Sequence, residues 1–518
     1  MISEKDYPNL HKIKTLYFFI LFLSILVQFL LIENYKNFYG LFFVFLSNIL
    51  IIYYCFSKKN VREFPLSSFS LIFVNIYSNS GALIFKSFTL SSIDETLYNS
   101  NFTFGYLFFF NFFLILLHYI YSKSHILISL KKTFQKLFLF LKFNDYEKKE
   151  YLFFIGYLSI FFGAFSVTFF SDYIWKSSLD GPNIIGDILN GLKVLYICPF
   201  IILFTFKIYN FSLNKKDIIK ILISFVLVLY LSLGLNSRSV FFDIIFSGLI
   251  IYCYFIYTNL INIKVLKVNK LFFLTIFLIL LSNYVDFFSN SYLEVRKFRN
   301  NTNPIQNIKN HINFFNNNKE ILLNQNMTNQ NQQIFAENYY NINFLNRINV
   351  IKATDNIIYA KQFLTKSEIE DIKNFEYNKV ISILPNPVIK IFSASFNKSL
   401  YFDTITSTVY KKVDRSYVGG KSNGIVFSIL YLYADFWYFL IFVVLIFITF
   451  SLLDSFKNNE KHLIILFVFF YLTSGGLINL ISSGSVADMI GSLVRGIPQS
   501  LILYLLICFL YKKVFFVR

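Results

Sequence analysis

Residues 425–453 read IVFSILYLYADFWYFLIFVVLIFITFSLL, and Asp435 is the only charged residue among them. A run of about 20 apolar residues is long enough to cross the hydrocarbon core of a bilayer as an α-helix. Similar runs recur along the chain, in which 56% of the 518 residues are hydrophobic and only 15% are charged. One water-soluble core cannot bury that much apolar surface. The sequence therefore predicts an all-α, polytopic integral membrane protein.

The apolar runs predict about twelve transmembrane helices. Their approximate bounds are 15–32, 39–56, 66–85, 103–121, 151–171, 189–208, 218–235, 239–258, 271–288, 425–453, 462–481 and 494–511. One polar insert interrupts this series, so the chain divides into nine helices, a large loop and three further helices. These three parts are residues 1–288, 289–424 and 425–518. Within the insert, residues 352–378 are predicted to form a helix, and chemistry is expected on the side of the membrane where the insert lies.

Basic residues predict which loops face the cytoplasm, because short cytoplasmic loops collect Lys and Arg. One set of loops is basic and holds Lys58, Lys59, Arg62, the lysines of 123–149, Lys215, Lys216, Lys264, Lys267, Lys270, Lys457, Lys461, Lys512, Lys513 and Arg518. The alternate segments 87–100 and 482–493 hold neither Lys nor Arg. This alternation predicts that both termini are cytoplasmic and that the insert is extracytoplasmic. The formal net charge of +19 then reflects orientation among membrane lipids, and no nucleic-acid partner is expected.

Two arginines lie on the side where positive charge is otherwise avoided. Arg238 lies within SRSVFFDI, between two predicted spans, and Arg495 lies within GSLVRGIP, near the outer end of the last span. A charge at membrane depth is costly and usually has an anionic partner. The planar guanidinium suits a phosphate, so both arginines are candidates for clamping a lipid-linked diphosphate. The alternatives are snorkelling to lipid headgroups or an ion pair with Asp243 or Asp488.

Further ionisable candidates lie at the two ends of the insert and within it. Asp286 lies in the apolar run LLSNYVDFF, where burial would raise its pKa toward that of a general base. Arg296 and Arg299 are three residues apart, so on a helix they share one face and could grip a polyanion or simply contact solvent or lipid headgroups. The remaining candidates are Asp414 as a base and Arg347 and Arg415 as binding residues. His311, in an Asn-rich stretch, is interpreted as a bystander without a partner.

The sequence lacks the common motifs of nucleotide and metal chemistry. It contains no GxxxxGK loop, no GxGxxG opening a helix, no HExxH and no Asp-x-Asp pair. ATP hydrolysis, zinc proteolysis and transfer from a nucleotide sugar are therefore poorly supported. We expect neither a metal nor a cofactor.

The architecture and one motif resemble bacterial oligosaccharide repeat-unit polymerases of the Wzy type. The shared features are an SR dipeptide opening a span, a large outer loop late in the chain, and the sequence GGKSNGIVFSILYLYADFW that follows this loop. The residues that match the family pattern are Gly419, Gly420, Ser422, Asn423, Gly424 and Tyr431. The chain departs from the pattern near Ile429, where the family often has Glu, and near Asp435, where Gly often follows.

The resemblance implies a metal-independent glycosyltransferase at the outer face of the bacterial inner membrane. Such an enzyme passes a glycan from undecaprenyl diphosphate to the terminal sugar hydroxyl of a new lipid-linked repeat unit. A chain-length regulator and a flippase are the implied protein partners, and O-antigen or capsular polysaccharide is the implied product. On this reading Arg238 and Arg495 stabilise the leaving diphosphate, and Asp286 or Asp414 accepts the proton. The further contacts to phosphate or acidic sugar would come from Arg296, Arg299, Arg347 and Arg415.

Two other functions stay open at this stage. An O-antigen ligase would use the same donor on the same side of the membrane but transfer the glycan to a lipid A core. A flippase or other secondary transporter would also have an even number of spans with both ends inside. Transporters built from two six-helix halves join the halves at the midpoint of the chain. Here the midpoint loop near 209–217 is short and the long insert comes much later, which favours the enzyme.

Overall fold

The structure is a computed structural model that describes most of the helical part of the chain. The described residues are 8–32, 38–141, 148–169, 194–205, 212–260 except 235 and 237, 304–317, 350–384, 403–415, 424–457 and 484–515, with isolated positions at 288, 291–292, 295, 335, 339–340, 346, 388–389, 391 and 395–401. Helices account for all the regular structure within these ranges, and no β-strand occurs among them. The predicted all-α class is confirmed for this part of the chain.

The first half of the chain contributes the helices α1 Pro8–Leu31, α2 Phe38–Cys55, α3 Lys58–Glu63, α4 Pro65–Asn75, α5 Gly81–Phe88, α6 Ser100–Lys123, α7 His125–Phe140, α8 Lys149–Phe169, α9 Cys198–Thr205, α10 Lys215–Gly234 and α11 Arg238–Tyr257. The second half contributes α12 Pro304–Asn317, α13 Ile351–Ala360, α14 Lys366–Ser382, α15 Ile405–Val413, α16 Val426–Tyr433, α17 Phe436–Ser455, α18 Val486–Gly491 and α19 Ile497–Phe515. A π-helical turn, Ile76–Ser80, joins α4 to α5, and another, Ser492–Gly496, joins α18 to α19.

Seven helical stretches in the described ranges are long and apolar enough to cross a membrane: Leu10–Leu31, Phe38–Cys55, Pro65–Phe88, Ser100–Lys123, Lys215–Gly234, Phe436–Ser455 and Val486–Val514. These stretches make the chain a multi-pass membrane protein. The predicted spans 151–171 and 239–258 are also helical, as α8 and α11. The predicted spans 271–288 and 462–481 lie outside the described residues, apart from residue 288, so the number twelve stays a prediction.

Three helices begin or end at residues other than those predicted from the sequence. The span predicted at 425–453 is broken at Ala434, which has a left-handed φ of 49°, and α17 begins after Asp435. The carboxylate of Asp435 accepts hydrogen bonds from the backbone nitrogens of Trp437 (2.8 Å) and Tyr438 (3.2 Å). A charged residue in an apolar run is poor in a helix interior and good as an N-cap, which explains the break.

The last span and the insert helix are the other two differences. The last helical stretch begins at Val486 rather than near 494, because the hydroxyl of Ser485 caps it by accepting a hydrogen bond from the Asp488 nitrogen at 3.1 Å. The helix predicted at 352–378 is two helices, α13 and α14. Thr365 starts the second one in a capping box with Glu368, since each side chain satisfies a backbone nitrogen of the other residue.

Contacts between loops show which loops lie at the same end of the helix bundle. On one side, the loops after α2, α6 and α17 meet, because Lys131 Nζ donates to the carbonyl of Glu63 (2.9 Å), Gln135 Nε2 to that of Lys457 (2.7 Å) and Lys457 Nζ to that of Arg62. All three loops belong to the set predicted to be basic. The insert lies at the other ends of the helices. Three of the loops predicted to be basic therefore lie together, and the full topology and its orientation stay predictions.

A buried carboxylate starts a membrane helix on the basic side. Asp454 lies near the end of α17 and is fully buried. It accepts hydrogen bonds from the backbone nitrogens of Leu66 (3.2 Å) and Ser67 (3.1 Å), and from the Ser67 hydroxyl at 2.5 Å. The carboxylate thus satisfies amide groups that the first turn of α4 leaves without a partner in the helix. The same device recurs twice on the side of the insert.

The close approach of α8 to α9 depends on a glycine. A Cβ atom on Gly156 would lie 2.2 Å from both Cδ and Cγ of Pro199, so the two helices would have to move apart. We expect Gly156→Ala to lower the free energy of unfolding by about 1–3 kcal/mol. The melting temperature in detergent measures the effect. Gly491→Ala is the matched control in another helix, because its Cβ would meet only Ile383 at 3.6 Å. Equal melting temperatures for the two variants would contradict the prediction.

Candidate functional site

The structure describes the side chains of three of the eight predicted site residues. Arg495 is exposed in the π-helical turn that joins α18 to α19, and Asp414 and Arg415 follow the end of α15. Arg238 begins α11, but its side chain lies outside the described residues. The others outside the described residues are Asp286, Arg296, Arg299 and Arg347. The contacts below connect the helix of Arg495 to a residue that the sequence did not suggest.

That residue is Glu376, in the middle of α14. Its side chain is buried, with 4% of the residue exposed. Oε2 accepts a hydrogen bond from the hydroxyl of Tyr433 at 2.9 Å, and Oε1 accepts one from the hydroxyl of Tyr438 at 2.8 Å and one from the nitrogen of Ala487 at 3.1 Å. One carboxyl group therefore joins the insert helix α14 to α16, to α17 and to the first turn of α18.

Burial raises the pKa of the Glu376 carboxyl to about 7, and its three hydrogen bonds lower the pKa only in part. Desolvation dominates because, among the described residues, no cation lies at hydrogen-bonding distance to offset it. The Glu376 carboxyl can be protonated. In that case the Tyr433 hydroxyl can donate to a second acceptor, the carbonyl of Ile372 at 3.5 Å. A protonated Glu376 can then donate to Tyr433 while its other oxygen keeps the remaining two bonds.

Two lysine–carboxylate pairs lie on the same face of α14 as Glu376. Lys379 Nζ lies 3.1 Å from Asp488 Oδ1, and Lys373 Nζ lies 3.2 Å from Asp435 Oδ2. These three α14 residues are spaced by three, which places them on one side of a helix. The face therefore contacts the N-terminal ends of both α17 and α18. Asp488 pairs with Lys379, and no ion pair between Arg495 and Asp488 occurs among the described side chains.

A second buried carboxylate attaches the insert to α6. Asp355, in α13, is 0% exposed. It accepts hydrogen bonds from the nitrogens of Tyr98 (2.8 Å) and Asn99 (3.1 Å) and from the hydroxyl of Thr103 (2.8 Å), and Lys352 Nζ lies 3.5 Å away. These donors surround the first turn of α6. The insert thus holds the starts of two apolar stretches, α6 and α18–α19, by the same means.

Gly419, Gly420, Ser422 and Asn423 of the motif quoted above lie outside the described residues, whereas Gly424 lies where the insert meets α16. The nitrogen of Gly424 donates to the hydroxyl of Thr406 in α15 at 3.1 Å. A Cβ on Gly424 would lie 2.4 Å from Ile357 Cδ1, so a larger residue here would require the Ile357 side chain to move. Ile429, where the family often has Glu, is fully buried in an apolar cluster with Ile357. At this position the chain therefore presents a packing residue rather than an ionisable group.

His311 has a partner, so the expectation that it has none is wrong. It is fully buried in α12, and its Nδ1 lies 3.1 Å from the hydroxyl of Ser291. That hydroxyl donates to the carbonyl of Phe288 at 2.7 Å, so Nδ1 carries the proton and Nε2 has the lone pair. Burial lowers the pKa of the imidazole to about 4. His311 is therefore neutral near pH 7 and packs α12 against Ser291 and Tyr292.

No protein-family model matches this chain, and no match was found among curated proteins or solved structures. The likeness to the polymerases therefore depends on the sequence features quoted above.

A serine, a histidine and an aspartate also meet on the basic side, but in an order unlike that of a hydrolase. The Ser67 hydroxyl contacts both His118 Nε2 (2.7 Å) and Asp454 Oδ2 (2.5 Å), and the hydroxyl of Tyr54 lies 2.8 Å from His118 Nδ1. In a catalytic triad the histidine lies between the other two residues. Here the serine does, and all three residues of the group are fully buried, so the group joins helices.

Proposed function

We propose that the protein is a metal-independent glycosyltransferase that polymerises oligosaccharide repeat units carried on undecaprenyl diphosphate, at the outer face of the bacterial inner membrane. The observation that supports this most is the attachment of the insert to the ends of α6, α17 and α18 through Asp355 and Glu376. A folded polar layer lies at the ends of the apolar helices, where the diphosphate and sugars of a lipid-linked glycan would lie. If the insert were only a loosely tethered loop, the ends of these helices would present no folded polar surface to the substrate.

The proposed reaction needs cations and one base. The acceptor hydroxyl oxygen forms a bond to the anomeric carbon, the bond from that carbon to the diphosphate oxygen breaks, and the lipid diphosphate leaves with the electron pair. The hydroxyl proton passes to Asp414 or Asp286. Arg238 and Arg495 would stabilise the charge that develops on the diphosphate. Arg296, Arg299, Arg347 and Arg415 would contact further phosphate or acidic sugar groups.

Glu376 acts in this proposal as a positioning residue. It holds the nitrogen of Ala487 at the start of the helical stretch that carries Arg495 eight residues later. Arg495 is exposed, and Asp488, its nearest acidic neighbour in the sequence, is engaged by Lys379. The guanidinium is therefore held on a fixed helix without a structural ion pair to Asp488. Snorkelling to lipid headgroups is the competing reading of this arginine.

A transporter is the second candidate, because polar residues are buried among the apolar helices. The hydroxyl of Tyr17 and Nδ2 of Asn75 both donate to Asn48 Oδ1, at 2.9 and 2.7 Å, and the Ser47 hydroxyl donates to Asn75 Oδ1 at 2.7 Å. Polar groups inside a membrane often mark a transport path. These groups satisfy one another next to the π-helical turn Ile76–Ser80, which fits interhelical adhesion better.

Surface polysaccharide from a strain that lacks the gene tests the proposal. Complementation with wild type should restore a ladder on a gel, whereas the strain alone should show a core capped with one repeat unit. Arg495→Ala should reduce polymer formation roughly 100-fold, because one charge-stabilising group is lost. Arg62→Ala, an exposed arginine on the basic side, is the matched control and should leave the ladder intact.

The other outcomes separate the alternatives. Loss of the single capped repeat in the deletion strain would indicate ligation or flipping, and an unchanged ladder would reject a role in glycan assembly. Full activity of Arg495→Lys would reject the bidentate clamp, because lysine cannot reproduce two parallel hydrogen bonds.

A further inference from the structure

Aromatic rings and one lysine form a partly exposed cluster where the insert meets α6 and α16. The aromatic–lysine cluster consists of Tyr98, Phe102, Tyr359, Lys361, Phe363 and Tyr431. Phe102 is 42% exposed and Phe363 is 54% exposed. Asp355 holds the two sides of the cluster together, because it lies in α13 and accepts hydrogen bonds from the backbone of residues 98 and 99.

The rings of the cluster are held in fixed positions by one another. Tyr98 and Tyr359 stack with centroids 4.0 Å apart and planes 7° apart. Phe363 meets Tyr359 edge-on at 5.0 Å, and Phe102 lies 5.6 Å from Tyr431. Stacked and edge-to-face rings add stability beyond the area they bury. Phe102 and Phe363 thus present preformed apolar surfaces rather than mobile side chains.

Polar groups in the cluster have hydrogen-bonding capacity to spare. The ammonium of Lys361 lies 3.9 Å from the centroid of the Tyr431 ring and donates to the Tyr431 carbonyl. An ammonium has three N–H donors, and no carboxylate in the described part of the chain pairs with this one. The hydroxyls of Tyr359 and Tyr431 also lack a hydrogen-bond partner within the described ranges. Tyr98, Tyr359 and Phe363 form one contact group, and Phe102, Tyr431 and Lys361 form a second one. The two groups adjoin through neighbouring residues of the chain, and together they combine exposed rings, a cation and two hydroxyls.

This combination matches a sugar better than a lipid tail. A pyranose ring has an apolar face of C–H groups, which packs on an aromatic ring, and a rim of hydroxyls, which bond to amines and phenols. A hydrocarbon chain would leave the donors without partners. Farther along α6, Phe109 is 58% exposed, as expected of a ring that faces lipid within a span. Lys361 and the hydroxyls of Tyr359 and Tyr431 lie at the end of α6 that meets the insert.

We propose that the aromatic–lysine cluster binds the glycan part of the lipid-linked substrate, with sugar rings on Phe102 and Phe363 and sugar hydroxyls on Lys361, Tyr359 and Tyr431. The proposal rests on the proposed function, because it assigns the cluster to the saccharide of that substrate. It gives the site a role in substrate binding that is separate from the stabilisation of the diphosphate.

Steady-state kinetics with the purified protein test the inference. The substrate is the lipid-linked repeat unit extracted from the source strain. Phe363→Ala and Lys361→Met should each raise KM about tenfold, the effect of losing about 1.4 kcal/mol of binding, while kcat changes less than twofold. Phe109→Ala, in the lipid-facing part of α6, is the matched control and should leave both constants unchanged. An unchanged KM in the two cluster variants would overturn the proposal.

A binding assay separates this inference from the proposed function and from a lipid contact. The probe is the lipid-free oligosaccharide released from the polysaccharide of the source strain, and its binding does not require turnover. Loss of binding in Phe363→Ala but not in Phe109→Ala would support the glycan site even if wild type shows no polymerase activity. Unchanged oligosaccharide binding together with weaker binding to anionic lipid vesicles would assign the cluster to the membrane surface and overturn the proposal.

Discussion

Replacing Asp355 with alanine is expected to lower the free energy of unfolding by about 3–5 kcal/mol, the cost of removing one partner from a buried charged group. Asp355 is fully buried and accepts three hydrogen bonds from Tyr98, Asn99 and Thr103. Alanine leaves these donors unsatisfied and leaves the ammonium of Lys352, 3.5 Å away, without its carboxylate. The melting temperature in detergent should fall, and the insert should become sensitive to protease at lower temperatures than in wild type.

Asp371→Ala is the matched control for Asp355→Ala. Asp371 lies in α14, is exposed, and pairs with Lys412 at 2.6 Å. An exposed ion pair contributes at most about 1 kcal/mol, so this variant should melt close to wild type. The double variant Asp355→Ala, Lys352→Met should recover part of the loss, because the unpaired buried ammonium is also removed. A double variant less stable than the single one would contradict this explanation.

The membrane helices could be predicted from the sequence, whereas most of the site could not. Long apolar runs are local features, so the seven membrane-length stretches follow from composition. Asp355 also has a signal in the sequence, since it is a carboxylate inside the half-apolar segment IKATDNII, as Asp286 is inside LLSNYVDFF. From this pattern, only Asp286 is predicted to be a buried carboxylate.

Glu376 left no signal of this kind. Its surroundings, KNFEYNK, read as a solvated helix face with charges three residues apart. Its burial depends on Tyr433 and Tyr438, more than fifty residues away, and on Ala487 in the last span. A pattern within one helix cannot reveal a partner that only the tertiary fold supplies. The break of the predicted span at Ala434 is hidden for a more local reason. A hydropathy average over the whole run conceals the single Asp435, although this residue is the N-cap that starts α17.

Glu376→Gln is expected to make the protein more stable than wild type at pH 8 but not at pH 5. Burial raises the pKa of Glu376 from 4.5 to about 7 in the folded state. A group whose pKa is higher in the folded state contributes stability that is fully present below its unfolded pKa and is lost as the pH rises through its folded pKa. The loss is about 3 kcal/mol for Glu376 between pH 4.5 and pH 8, from the free energy of one pKa unit.

Glutamine removes this loss because it stays neutral at every pH. Its carbonyl can keep the bonds from Tyr438 and Ala487, and its amide can donate to Tyr433, whose hydroxyl then donates to Ile372. Melting temperatures of both proteins at pH 5 and pH 8 measure the difference. His311 titrates in the opposite sense, since its folded pKa is lowered to about 4, and it contributes equally to both proteins and cancels.

Glu370→Gln is the control for the pH experiment, because Glu370 lies on α14 and is exposed. It should follow the pH dependence of wild type, whereas Glu376→Gln should not. Equal destabilisation of Glu376→Gln at both pH values would mean that the carboxylate is needed in its ionised form. That result would make Glu376 an anionic cap of α18, like Asp355 at α6. The expected result would instead mean that the attachment of α14 to the Arg495 helix weakens as Glu376 loses its proton. The position of Arg495 would then depend on pH near neutrality.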